Sequence, residues 1–179
     1  PIYLINYNDV YLIKTDSIGD TLFTRVFQTD SINDFAWDMI TDSNSSIYFA
    51  IRVSYPTEFV SLMKTDSMGN QIFIKDYSGC DFLNPHKIIH ADSNNLIMLC
   101  ESYINYMGVQ GCIPWLVKIN SNGDTLWTRQ YQLSRCGVEV WDLLYDNGNY
   151  HLLINPITGV DSMNIPTADV NLLTLDWPF

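Results

Sequence analysis

The chain has 179 residues, 47% of them hydrophobic, and a formal net charge of −11. With mean hydropathy near zero, that composition belongs to a folded domain with its own core, not to a disordered segment. The charge argues against nucleic acid, because phosphate contacts need clustered Lys and Arg. No apolar run approaches the length of a membrane span.

Pro1 to Tyr7 (PIYLINY) alternates as a strand, and Val10 to Thr15 is the next. The chain therefore opens inside a strand pattern, and its N-terminus is expected to lie within a longer protein. The second strand runs into KTDSIGDTLFTRVF, Lys14 to Phe27. That stretch returns as KTDSMGNQIFIKDY (Lys64 to Tyr77) and KINSNGDTLWTRQY (Lys118 to Tyr131), and ends broken as TLDWPF (Thr174 to Phe179). The copies begin 50, 54 and 56 residues apart.

In each full copy a strand enters a turn led by Asp16, Asp66 or Asn120, whose short polar side chain can bond the backbone ahead of it. Gly19, Gly69 and Gly123 occupy the place where the turn needs a positive φ. The next strand carries a cation between two aromatics: Phe23, Arg25, Phe27; Phe73, Lys75, Tyr77; Trp127, Arg129, Tyr131. A cation can lay its stem on the rings and keep its charge in water. Recurrence in every full copy makes this a packing device.

Two more strands complete each period. DFAWDMITD (Asp34 to Asp42), LNPHKIIHAD (Leu83 to Asp92) and VEVWDLLYD (Val138 to Asp146) form one series. SIYFAIRV (Ser46 to Val53), NLIMLCES (Asn95 to Ser102) and YHLLINPI (Tyr150 to Ile157) form the next. Hairpin chemistry separates them at Ser43-Asn44-Ser45, Ser93-Asn94 and Asn147-Gly148. Four antiparallel strands, a to d, in about 50 residues are the signature of a β-propeller blade. The expected fold is all-β: a propeller segment of about three and a half blades within a larger ring. Its expected parts are a half blade 1–16 and blades 17–66, 67–120 and 121–176, the last closing on the strand Val170 to Leu175. Open blade faces would leave apolar surface in water, so the rest of the propeller or a partner is expected to cover them.

The turn-and-strand pattern resembles the tandem propeller repeats of large secreted bacterial proteins, which read like LVKLDSNGNLLWTKTY; Trp115 to Tyr131 carries the likeness. The resemblance implies an exported, cell-surface or extracellular protein. The second copy departs from it, with LNPHKIIHAD in place of an aromatic-rich strand, and so does the fourth turn, Asp-Trp-Pro-Phe. A weaker similarity runs to quinoprotein propellers. The spacing Asp16, Gly19, Phe23 is one residue short of theirs, and no two cysteines are adjacent as in their cofactor site, so no cofactor is carried over.

Candidate chemistry is sparse. Cys80, Cys100, Cys112 and Cys136 form no C-x-x-C pair and no zinc spacing. Cys80, Cys112 and Cys136 lie in loops on one side, where an exported protein could pair two of them in a disulfide; Cys100 reads as a core residue. His86 and His90, four apart on one strand face, sit about 13 Å from each other, too far for one metal, and His151 is a core or surface histidine. Only Arg52 and Arg135 remain for a sialidase-type arginine cluster. Glu58, Glu101 and Glu139 are unsupported candidates for a glycosidase pair. The Asp-rich turns lack calcium-loop spacing.

The copies differ most in the a–b and c–d loops, and variable loops on a repeated scaffold are where binding resides. Tyr103, Tyr106 and Met107, in the loop Tyr103 to Cys112, and Arg135 form the expected partner surface, since Tyr, Met and Arg are enriched in interfaces. Thr158 to Asp169 is another such loop. The expected function is a non-catalytic binding or scaffold module engaging protein or glycan through these loops. The alternatives are part of a propeller enzyme, a glycan hydrolase or quinone-dependent dehydrogenase, and a structural spacer.

Overall fold

The computed structural model describes residues 9–27, 34–54, 58–78, 83–106, 109–132, 137–160, 166–168 and 171–175. They divide into two compact units, Pro1–Ser78 and Gly79–Phe179. The fold is all-β, every ladder is antiparallel, and the described residues hold no α-helix. The expected strand at Pro1 to Tyr7 lies outside them.

In the first unit β1 (Val10–Thr15) and β2 (Thr21–Phe27) form a hairpin. β3 (Asp34–Thr41), β4 (Ile47–Val53), β5 (Phe59–Thr65) and β6 (Gln71–Tyr77) form a four-stranded meander in chain order. Strand alternation sends Val10 and Leu12 inward, where with Phe27 they pack on Ile47, Phe49, Ile51, Val53 and Met63. The Phe27 and Phe49 rings lie 5.8 Å apart. Tyr11 and Ile13, on the opposite face of β1, are 56% and 53% exposed.

The second unit repeats the meander with β7 (Leu83–His90), β8 (Leu96–Tyr106), β9 (Val109–Ile119) and β10 (Thr125–Gln130). β11 (Val138–Asp146), β12 (Asn149–Val160), β13 (Pro166–Ala168) and β14 (Asn171–Leu175) complete it, β13 and β14 both pairing with β12. Ile97, Leu99 and Leu116 pack against Val138, Val140, Leu143, Leu152 and Ile154. Burying each such side chain stabilises by about 1.5–3 kcal/mol.

The strands are not grouped as expected. Breaks at 16/17, 66/67 and 120/121 would make the strand after each Asp-Ser-x-Gly turn the first of a new sheet. Instead β2 pairs back on β1, β6 on β5 and β10 on β9. The turn chemistry accounts for this. Asp16 Oδ1 accepts the Ile18 and Asp20 N–H groups at 3.0 and 2.9 Å. Asp66 does the same for Met68 and Asn70, and Asn120 for Asn122 and Asp124. With φ of +94°, +76° and +81° at Gly19, Gly69 and Gly123, each turn reverses the chain within one hairpin, so its two strands are neighbours.

The cation between aromatics does pack. Arg25 lies 5.0 Å over the Phe23 ring and Lys75 lies 5.8 Å over Phe73, while Phe27 and Tyr77 are buried. The lysine opening each copy braces a hairpin. Lys64 Nζ reaches Asp42 Oδ2 at 3.7 Å and the Tyr48 ring at 4.7 Å, and Lys118 pairs with Asp92.

One irregularity recurs. The register slips between Ala36 and Asp38, between Pro85 and Lys87, and between Val140 and Asp142. The extra residue of each bulge is Trp37, His86 or Trp141. A bulge re-aims its side chain out of the strand's alternation, so His86 and His90 do not share a face by simple period-two counting.

Candidate functional site

β8 and β12 run the same way through the second unit. The start of β12 meets Asp92 and Lys118, at the end of the unit where β8 begins, in a common cleft. At the far end Glu101 of β8 bonds Val140, whose ladder partner is Ile154 of β12. Both strands continue past their sheets at that far end. The last rung of β7 on β8 is Leu83–Ser102, yet β8 and β9 pair on through Tyr103–Cys112, Ile104–Gly111, Asn105–Gln110 and Tyr106–Val109. β12 likewise pairs with β13 through Ile157–Ala168, Gly159–Thr167 and Val160–Pro166. The described residues of the stretches Tyr103 to Cys112 and Thr158 to Asp169, expected as loops, are therefore paired in two-stranded ribbons. Strand pairing satisfies their backbone groups and stiffens what a loop would leave free.

A polar cluster seats the first ribbon. The Glu101 carboxylate, 7% exposed, lies 2.9 Å from His86 Nε2 through one oxygen. Its other oxygen accepts the Val140 N–H at 3.2 Å, tying β8 to the first strand of the following sheet. A buried carboxylate needs such partners to offset its lost hydration. Asn84 Nδ2 donates to the Tyr103 hydroxyl at 3.2 Å, and Asn155 Nδ2 donates to Glu139 Oε2 at 3.3 Å.

Cys112 stands at the foot of the ribbon, opposite Tyr103 and bridged to Val138. Burial first, and then the negative charge of Glu101, push its thiol up to about 12. A nucleophilic cysteine requires the opposite shift. Cys112 beside Glu101, which in turn meets His86, thus has the residue types of a catalytic set and the electrostatics of a core thiol.

Of the residues expected to bind a partner, Tyr103 is 44% exposed on β8, and Tyr106 is placed by its backbone at the ribbon's last rung. Met107 and Arg135 lie outside the described residues. Cys112, expected as a disulfide candidate, is a buried free thiol; Cys80 and Cys136 lie outside the described residues. Arg52 is engaged by Glu58 at 3.4 Å. The described residues hold no group of three metal-ligating side chains. Sequence reasoning missed the cluster of His86, Glu101 and Val140. Its one sequence signal is the alignment of Pro85-His86-Lys87 with Ala36-Trp37-Asp38 and Val140-Trp141-Asp142, which sets a histidine where the other copies carry tryptophan.

None of the described helical residues makes a helix long and apolar enough to cross a membrane. No family model matches the chain, and no curated protein matches it. Among solved structures, it is similar to a crystal structure of a "putative conserved lipoprotein" from Clostridium novyi NT, at 14% identity and a TM-score of 0.47, over 79% of this chain and 88% of that one.

Proposed function

We propose that the chain is a stretch of β-propeller from an exported bacterial protein, and that it acts as a non-catalytic binding module. Its partner is a protein held at the ribbon end of the second unit. The observation that carries this reading is the β8–β9 ribbon. Its last four rungs join no other described strand apart from the single bridge between Cys112 and Val138. A stiff ribbon offers main-chain edges for strand addition together with exposed tyrosine for contact, at little cost in ordering. The electrostatics of Cys112 and the engagement of Glu101 support binding over covalent catalysis.

The propeller reading draws support from burial at equivalent positions. Tyr11 and Ile13 of β1 correspond to Ser61 and Met63 of β5 and to Trp115 and Val117 of β9. The latter four are buried, Ser61, Met63 and Val117 completely, whereas Tyr11 and Ile13 are exposed. In the first unit Met63 is covered by the β1–β2 hairpin, so the exposed face of β1 suits one more sheet of the same kind, from the rest of the propeller or from a partner. The exported location rests on the likeness of the turns to secreted repeats.

A photo-crosslinking residue in place of Tyr103 tests the binding reading. Crosslinks to one protein from the surface fraction, absent when the same residue replaces Ser17, support it. Equal yields from both positions, or a hydrolytic activity of the full-length protein that disappears in Glu101→Gln, would sink it.

A further inference from the structure

At the opposite end of the second unit, away from the ribbons, a cleft of about 580 Å³ opens between the turns of the two sheets. Trp127, Tyr145 and Tyr150 form its walls. The Trp127 and Tyr150 rings meet edge to face at 6.1 Å, and Tyr145 leans on Tyr150 at 5.1 Å. Tyr150 is buried, while Trp127 and Tyr145 each keep part of a ring in water. Lys118 and Asp92 add one cation and one carboxylate, joined to each other. Asn147, at positive φ in the Asn-Gly turn, completes the rim.

The first unit holds a cleft at the equivalent place, of about 540 Å³, and comparison separates what the fold imposes from what this site adds. That cleft also has its repeat lysine, Lys14, but its walls are Leu12, Ile13, Met39 and Ile47. Thr41 stands where Tyr145 does, and Ile47 where Tyr150 does. Phe23 stands where Trp127 does, its ring 5.6 Å from Lys14 Nζ, so an aromatic at that position belongs to the repeat, and Tyr145 and Tyr150 are what this site adds.

We infer that this aromatic cleft is a binding site for a neutral sugar, a pyranose unit of a glycan. Partly exposed ring faces match the apolar C–H faces of a pyranose, and pockets of this kind join aromatic walls to a few oriented polar groups. Sugar hydroxyls both donate and accept, and the rim supplies both: Lys118 donates, Asp92 accepts, and the Asn147 amide does either. The Lys118–Asp92 pair cancels in charge, which disfavours an ionic ligand. A quaternary ammonium, the other customary guest of aromatic walls, would meet the Lys118 ammonium.

The test is calorimetric titration of the whole chain with neutral oligosaccharides built from glucose, mannose, galactose or N-acetylglucosamine. Binding of at least one of them with Kd of roughly millimolar or below is expected. Trp127→Ala is expected to weaken it by about ten-fold or more, as loss of a central aromatic anchor does. Tyr145→Thr, which copies the residue at position 41, should weaken it without disturbing the fold, while Tyr103→Ala at the ribbon end leaves it unchanged. A site-assigned fluorotryptophan signal of Trp127 that shifts on saturation would place the sugar without any substitution. Binding that survives both cleft variants, a preference for choline or trimethyllysine, or no sugar bound at ten millimolar would overturn the assignment.

Discussion

Two glycines in equivalent turns do different work. A Cβ on Gly19 would meet nothing within 4 Å, so Gly19→Ala carries only the strain of φ +94°. A Cβ on Gly69 would lie 2.8 Å from Arg25 Cγ and 3.0 Å from the Phe23 ring, just where Lys14 Nζ bonds the Ser67 carbonyl. Denaturant midpoints should register a loss of about 1 kcal/mol for Gly19→Ala and at least twice that for Gly69→Ala. Equal losses would mean that the β5–β6 turn does not seat on the first hairpin. Cys112 carries a second prediction. A thiol whose folded pKa is raised to about 12 keeps its proton after the unfolded chain has lost its own. From near pH 9 upward the folded state therefore binds more protons, and its stability falls as pH rises. Burial also pushes the Tyr150 and Tyr131 phenols upward, in the same sense. Urea midpoints at pH 8 and pH 10.5 should show the drop, and Cys112→Ala should reduce it. In the native protein at pH 8, peptide mapping after iodoacetamide should find Cys112 unmodified.

The repeated turns and braces decide how elements hold at the acidic end of the pH range. Asp66 is held below the usual carboxylate range by the Asn70 side chain and then by backbone N–H groups. For Asp92 the first cause is Lys118. Burial raises Asp42, but the Ser46 and Asn44 N–H bonds and Lys64 outweigh it. Carboxyls lowered in the folded state contribute stability above their unfolded value near 4, and that contribution is lost as pH falls through the folded values. Melting curves between pH 5 and 2 should show the loss, with a smaller change in Lys118→Met, whose Asp92 has already lost its main partner. At the other end of the second unit, Glu101→Ala strips the buried Val140 N–H of its acceptor and should cost about 2–4 kcal/mol, with Glu101→Gln recovering part. The turns and the cations set between aromatics were legible because each depends on residues close in sequence. The grouping of strands was not: a periodic sequence has no phase, and abcd, read from b, is the same pattern. Only the pairing of β2 with β1 and of β6 with β5 sets where a sheet begins. The ribbon was hidden because Tyr103 to Cys112 differs from the matching stretch of the other copies and so reads as a variable loop, and the Glu101 contact because it joins residues 39 apart.

For the whole molecule, the exposed face of β1 separates two states of the protein. In this chain Ile13→Lys should change stability by less than about 0.5 kcal/mol, while Met63→Lys at the equivalent buried position should prevent folding of the first unit. Within a full-length parent the proposed additional sheet would cover Ile13, and the same substitution should then become severe. Limited proteolysis of both forms compares them directly; insensitivity in the parent would leave that face without the neighbour proposed for it. The all-β class could be read from alternation alone, and the two-unit division could not, because it depends on how sheets pack and not on any local signal.

The meander order of the strands has a consequence for synthesis. Each of β4 to β6, and of β8 to β10, pairs with the strand just before it, so a growing chain can zip each sheet from segments already made. Local pairing of this kind keeps contact order low for a β-protein and closes hairpins in microseconds, far faster than a ribosome adds residues. Within each unit, what must wait is the covering of the first sheet's apolar face, until the strands that pack on it arrive some tens of residues later. The interval of exposure during translation is thus set by the repeat length, and a pause inserted near residue 45, after the first hairpin and before β4, should increase aggregation more than one inserted after β6.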